Sequence, residues 1–265
     1  MKNILITGAA SGLGLTTATH FASKGWRVFA LDFQATSIPQ MENIVPIFVD
    51  VSTDESVKNA INEVKKHCSN LDIIVNFAGI LQLGSTVEVE PESMQRILNI
   101  NVVGTYRINY YCFPLFQKGS RVINISSESG VLSPPPFSGF YYTSKHAIEC
   151  YTDAMRRELR FLDIPVIKIR PGAFKTQMQG NALKRLEEIA TNSQYFKQQI
   201  EKGNSMAELG TGNAKEPELL AQLIFEAATT KHPKIAYNIN RNKLFILLSW
   251  LPEKWQDWIY FKTLK

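Results

Sequence analysis

The 265-residue sequence has little cysteine, no long apolar run and no block of like charge. Its three cysteines, Cys68, Cys112 and Cys150, lack the paired spacing of a metal site, and their odd number leaves one thiol over. This excludes a disulfide framework and argues for a reducing, cytoplasmic setting; no metal is expected. The longest late apolar stretch, Leu244 to Leu251, falls far short of a membrane span, and is expected to pack at a substrate pocket or against another subunit. Glycines interrupt the early apolar residues close to Met1, so no signal peptide is expected. The net charge of +5 comes from 29 scattered basic residues against 24 acidic ones. Short pairs such as Lys65-Lys66 and Arg156-Arg157 read as solvated surface, so no nucleic-acid partner is expected.

What is present fits one globular α/β domain over residues 1–265, with 45% hydrophobic and 20% charged residues. The apolar run Ile4-Leu5-Ile6 breaks at once into Thr7-Gly8, followed by Gly12 and Gly14 and then a helical segment from Leu15 to Ser23. Strand, glycine turn and helix together aim backbone N–H groups and a helix N-terminus at a phosphate. Gly8 can take the strained turn, Gly12 lets a pyrophosphate approach, and Gly14 lets the helix sit on the strand. A second strand, Trp26 to Leu31, ends in Asp32, where a carboxylate would bond a ribose 2′-hydroxyl and repel a 2′-phosphate. NAD is therefore expected in preference to NADP.

Further apolar strands run from Ile44 to Val49, Leu71 to Val75, Arg121 to Ile125 and Val166 to Ile169, with helical stretches between them. Ser52 or Thr53 would cap the helix that runs to Cys68. Such alternation predicts a doubly wound parallel sheet of Rossmann type with right-handed crossovers. Gly8, Asp32, Asp50 and Asn76 all fall at strand carboxyl ends, where such sheets bind ligands. A long helical stretch from Pro91 to Phe116 carries Asn101 and Gly104, poor helix formers that predict an interruption around 99–104.

Tyr141 and Lys145 stand four apart, on one face of a predicted helix. A phenol titrates near pH 10, and a cation one turn away makes it a usable base. A serine at the end of the strand finishing at Ile125 would bond the substrate oxygen; Ser127 is favoured over its neighbours Ser126 and Ser129. His20 and His146 read as packing or surface residues.

Thr7-Gly8-x-x-x-Gly12-x-Gly14, Asn76-Phe77-Ala78-Gly79, Asn101, Tyr141-x-x-x-Lys145 and Pro171-Gly172-x-x-x-Thr176 together resemble the short-chain dehydrogenase/reductases, with hydroxysteroid and retinol dehydrogenases among the similar members. Phe77 departs from the asparagine usual at that point. The resemblance implies a catalytic set of Asn101, Ser127, Tyr141 and Lys145, with Asn101 holding a proton-relay water through a freed carbonyl. It implies cofactor contacts from Ser11 and Leu13 between the glycines, Phe33 beside Asp32, the adenine pair Asp50-Val51, then Asn76, Ala78, Gly79, Tyr141, Lys145, Pro171, Gly172 and Thr176. It further implies a substrate lid of two mobile helices over about 177–210, followed by a helix, a last strand and an apolar tail over 211–265. The expected activity is interconversion of an alcohol and its ketone or aldehyde on a lipophilic substrate such as a hydroxysteroid or retinoid, by a homodimer or homotetramer. Reduction of a small keto compound or 3-oxoacyl thioester is an alternative, and a non-catalytic NAD(H) sensor is an alternative of another class.

Overall fold

A computed structural model describes residues 1–203 and 213–265, with side chains described throughout except over 177–184. Strands β1 (Asn3–Thr7), β2 (Arg27–Asp32), β3 (Ile44–Phe48), β4 (Ile73–Asn76), β5 (Arg121–Ile125), β6 (Val166–Pro171) and β7 (Ala236–Ile239) form one sheet in the order β3-β2-β1-β4-β5-β6-β7. Every pairing is parallel. The chain winds outward in one direction from β1 to β3 and in the other from β4 to β7, so the switch in winding lies between β1 and β4. A crevice opens there at the strand carboxyl ends.

Both faces of the sheet are covered, which explains why its strands read as continuous apolar runs. Ile4, Ile6, Val28 and Val75 point to the side of α1 (Gly12–Ser23) and α7 (Pro217–Thr229), where Phe21, Leu220 and Ile224 meet them. Leu5, Phe29, Leu31 and Ile74 point the other way, onto Val57, Ile61 and Val64 of α2 (Asp54–His67) and Ile108 of α4 (Gly104–Cys112). Thr53 takes the cap position of α2 without a side-chain bond. Asp54 and Glu55 in its first turn and Lys65, Lys66 and His67 in its last complement the helix dipole.

The expected interruption is there: α3 (Pro91–Leu98) passes into a π-helical turn, Asn99–Val103, before α4 resumes. Its far end fits against the third strand's loop, since a Cβ on Gly104 would lie 2.9 Å from Val51 Cγ2. Helix α5 (Gly139–Leu159) starts two residues ahead of Tyr141. Several strand boundaries shift from expectation: β2 runs one residue later, β3 ends at Phe48 rather than Val49, β4 starts at Ile73 and extends through Asn76, and β6 extends through Pro171. Of the two expected lid helices, α6 (Gln177–Asn192) and a helical stretch over 197–203 are described, and the remainder through 209 lies outside the described residues. Helices α8 (Lys243–Trp250) and α9 (Glu253–Leu264) close the chain.

Candidate active site

The glycine loop owes its shape to contacts that exclude side chains. Gly8 has φ of +68°, and a Cβ there would lie 3.0 Å from the Ala78 nitrogen; Gly12 has φ of +51°. A Cβ on Gly14 would lie 2.1 Å from the Gly8 carbonyl oxygen, so only glycine lets α1 sit this close to the strand. Thr7 Oγ1 accepts the N–H groups of Phe77 and Ala78, both at 3.1 Å, and so ties the loop to the end of β4. Asp32 reaches back across the crevice mouth: its Oδ2 accepts the Ala10 N–H at 3.0 Å and its Oδ1 the Gln34 N–H at 2.8 Å. Asp50 Oδ1 accepts the Ser52 N–H at 2.9 Å and shapes the turn beside it. Phe33 is exposed and packs against Phe48, ring centroids 5.5 Å apart.

A cleft of about 1310 Å³ gathers all of this. Every expected site residue borders it except Asn76 and Asn101. Asn76 is turned inward, where its Nδ2 donates to Asn109 Oδ1 and Asn124 Oδ1, both at 2.9 Å, so its side chain braces the sheet rather than facing a cofactor. Asn101 is likewise buried. Its Oδ1 accepts the Ile80 N–H at 2.8 Å, and its Nδ2 donates to the Ile80 carbonyl and to Ser144 Oγ, each at 3.0 Å. Its own carbonyl, in the π-helical turn, accepts the Thr105 hydroxyl at 2.9 Å. The expectation of a freed carbonyl is corrected: an oxygen has a second lone pair for water, but this one already has a protein partner.

The chemistry-bearing groups converge where α5 crosses the end of β5. The Ser127 hydroxyl stands by the Tyr141 phenol and accepts the Ser129 N–H at 3.1 Å, while the Ser129 hydroxyl stands by the neighbouring Tyr142. Among the three candidate serines, Ser127 is thus the one beside the lysine-spaced tyrosine. Burial pushes the Tyr141 phenol up to about 12, against the Ser127 hydrogen bond, with the Glu128 charge adding to the rise. Lys145 Nζ donates to the Ile125 carbonyl at 3.0 Å and lies 5.7 Å from the Tyr141 ring centroid. Its burial pulls it down to about 8, with Glu149 one turn further along opposing the fall. Glu149 in turn takes a two-pronged bond from Arg170 of β6, at 2.9 and 2.7 Å, and an ion pair from Lys168 at 3.0 Å. That buried pairing locks the helix bearing Tyr141 and Lys145 to the sheet.

On the far wall, a Cβ on Gly12 would lie 3.5 Å from Thr176 Cγ2, so the loop after β6 closes on the glycine loop. The remaining walls are largely apolar, with Leu83, Phe137, Leu186, Ile200, Phe245 and Leu264 among them. Helix α6 is held over the mouth by Arg185, which donates to the Leu81 carbonyl at 2.8 Å. The segment after it is held by Glu88, whose carboxylate accepts the Gln194 and Tyr195 N–H groups and the Ser193 hydroxyl. Glu128, which the sequence gives no signal for, also borders the cleft, as does Tyr142, which lacks the four-residue spacing to Lys145 that singles out Tyr141. His20 packs edge-on against Phe225 and His146 Nδ1 sits 3.0 Å from the Tyr142 carbonyl, so neither enters the chemistry. Among the described residues there is no cluster of histidine, cysteine or carboxylate that could hold a metal.

A crevice at the switch in winding, a glycine cradle and a tyrosine–lysine–serine group define a dinucleotide-dependent oxidoreductase. Residues 2–187 match the family described as short chain dehydrogenase, and the chain belongs to that family. Its relatives include a 3-ketodihydrosphingosine reductase of Bacteroides thetaiotaomicron, 30% identical over 97% of this chain and 92% of that one. A retinol dehydrogenase 7 of Rattus norvegicus is 28% identical over 98% of this chain and 88% of its own. A short-chain dehydrogenase from Streptomyces avermitilis superposes with a TM-score of 0.79 at 20% identity, covering 98% of this chain and 94% of that one, which shows the shared fold.

Proposed function

We propose that the protein interconverts a lipophilic alcohol and its ketone or aldehyde with NAD as cofactor. The observation that carries this is Tyr141 beside Ser127, with Lys145 one turn away and bonded to the Ile125 carbonyl, at the floor of a cleft whose outer walls are apolar. The residues present fit a dinucleotide: Gly8, Gly12 and Gly14 leave backbone room for a pyrophosphate, and Asp32 offers a carboxylate to the ribose. NAD is favoured over NADP because that carboxylate would repel a 2′-phosphate. Ser11, Leu13, Phe33, Asp50, Val51, Ala78 and Gly79 would line the adenosine side, and Pro171, Gly172 and Thr176 the nicotinamide side. When bound, the nicotinamide gives or accepts the hydride.

The chain's own residues handle the proton and the geometry. With its phenol pushed up to about 12, Tyr141 carries its proton at neutral pH and can hand it to a carbonyl oxygen during reduction. In oxidation it takes the proton from the alcohol, and the Lys145 ammonium steadies the phenolate that must form first. Ser127 donates to the same substrate oxygen as charge gathers there. Asn101 acts through structure, holding Ile80 and the Ser144 turn of α5 in place. The intact Ser127, Tyr141 and Lys145 arrangement weighs against a pure NAD(H) sensor, which would need no proton donor.

The apolar walls favour a lipophilic substrate, and the likeness to reductases and dehydrogenases of long-chain or isoprenoid lipids supports the same choice. The test is a comparison of kcat/KM with NAD and NADP across steroid, retinoid and long-chain keto substrates against short polar keto compounds and 3-oxoacyl thioesters. A higher value for the short polar compounds would overturn the lipophilic assignment. A homodimer or homotetramer is proposed, readable by light scattering.

A further inference from the structure

The last two helices are built the wrong way round for a water-facing surface. Helix α8 turns Leu244, Leu247 and Trp250 outward, with Trp250 79% exposed. Helix α9 buries Gln256, Tyr260 and Leu264 along one stripe, and exposes Trp255, Trp258 and Phe261. Three of the four tryptophans in the chain stand here in water, whereas Trp26 is buried. An isolated exposed apolar residue is ordinary, but six large ones on two consecutive helices form a surface that calls for a partner.

Charge identifies the partner. Residues 241–265 carry Arg241, Lys243, Lys254, Lys262 and Lys265 against Glu253 and Asp257, five basic against two acidic. That excess of three is over half of the chain's net charge of +5. Aromatic rings interleaved with lysines match the boundary between acyl chains and anionic headgroups, where tryptophan is enriched and lysine stems reach the phosphates. Both helices also reach the cleft, since Phe245 of α8 and Leu264 of α9 border it.

We propose that α8 and α9 dock the protein on an anionic bilayer surface, lying in the interface without crossing it. No helix among the described residues is long and apolar enough to span a membrane, which agrees with an interfacial contact. The docking stands on this surface alone. That it brings the cleft to a lipid-dissolved substrate rests on the lipophilic reading above, and the experiment needs no turnover, so the two can fail separately.

The full chain is mixed with vesicles of phosphatidylcholine and phosphatidylglycerol in equal parts, and with phosphatidylcholine alone. Tryptophan emission and co-sedimentation are read in each case. Docking predicts a blue shift and co-sedimentation with the anionic vesicles, weakened by salt as the charges are screened. Replacing Leu247, Trp250 and Trp258 together by serine, all at exposed positions, should lower partitioning by about tenfold or more. Lys254→Glu with Lys262→Glu should weaken it while leaving the fold intact. Absence of both shift and co-sedimentation overturns the proposal. So does a wild-type mass in solution that falls by half in the triple variant while vesicles stay unbound, since the face is then a contact between copies of this chain.

Discussion

Asn101 clasps the backbone of Ile80 from both sides, taking its N–H at 2.8 Å and giving an N–H to its carbonyl at 3.0 Å. One buried side chain from the π-helical turn thereby fixes the segment that follows Gly79, and its third bond reaches the Ser144 hydroxyl one residue from Lys145. Asn101→Ala leaves two backbone groups and a hydroxyl short of partners, so it should destabilise the fold by about 3 kcal/mol. Denaturant unfolding measures this. Dinucleotide affinity should fall as well, because the loop bordering the cleft loses its anchor.

Ser127 and Ser129 serve different tyrosines, which gives a clean contrast. Ser127→Ala should lower kcat by about 10²–10³-fold through loss of a donor to the substrate oxygen. Ser129→Ala, where the serine stands by Tyr142 with His146 rather than a lysine four residues on, should stay within about threefold of wild type on the same reasoning. Steady-state kinetics at saturating cofactor separates the two.

The proposed preference for NAD rests on the Asp32 charge. Asp32→Asn keeps an oxygen to accept the Ala10 N–H and removes the repulsion, so kcat/KM with NADP should rise relative to NAD by about tenfold, ~1.4 kcal/mol. Unchanged discrimination would take this role from Asp32.

Lys145 carries a pH signature in stability. Folding lowers it from the ordinary lysine value of 10.5 to about 8, so between those two pH values the unfolded chain binds more protons than the folded one. Stability therefore rises with pH across that window, and burial of the charge is destabilising below it. Relative to Lys145→Met, which cannot titrate, the wild type should gain about 3 kcal/mol from the lower to the upper end of the window. Unfolding free energies of both proteins over this range supply the test.

The site was legible in the sequence where a residue type does something no other type can. Glycines at 8, 12 and 14 announce a backbone that side chains would block, and a tyrosine four residues before a lysine announces a shared helix face. Asp32 was legible because a carboxylate at the end of the second strand has one place to go in this topology. Polar residues at equivalent positions were harder to place, because a strand end has two sides. Asn76 resembles a ligand contact by position, yet its pleat faces Asn109 and Asn124. The serine choice could not be closed either, since Ser126, Ser127 and Ser129 differ only in direction, and direction depends on the short helical turn over Glu128–Gly130. The apolar tail was expected to pack at a substrate pocket or against another subunit. Phe245 and Leu264 do reach the cleft, but Leu247, Trp250 and Trp258 face out, because composition gives the amount of apolar surface and not the side on which it lies.

The most direct test of the account compares the wild type with Tyr141→Phe, following reduced nicotinamide by absorbance with NAD and a turned-over lipophilic alcohol. Loss of the phenolic proton carrier should lower kcat by about 10³-fold or more while dinucleotide affinity and unfolding free energy stay near wild type. A variant that keeps wild-type turnover would contradict the assignment of proton transfer to Tyr141, and with it the reading of the Ser127–Tyr141–Lys145 group as the catalytic centre.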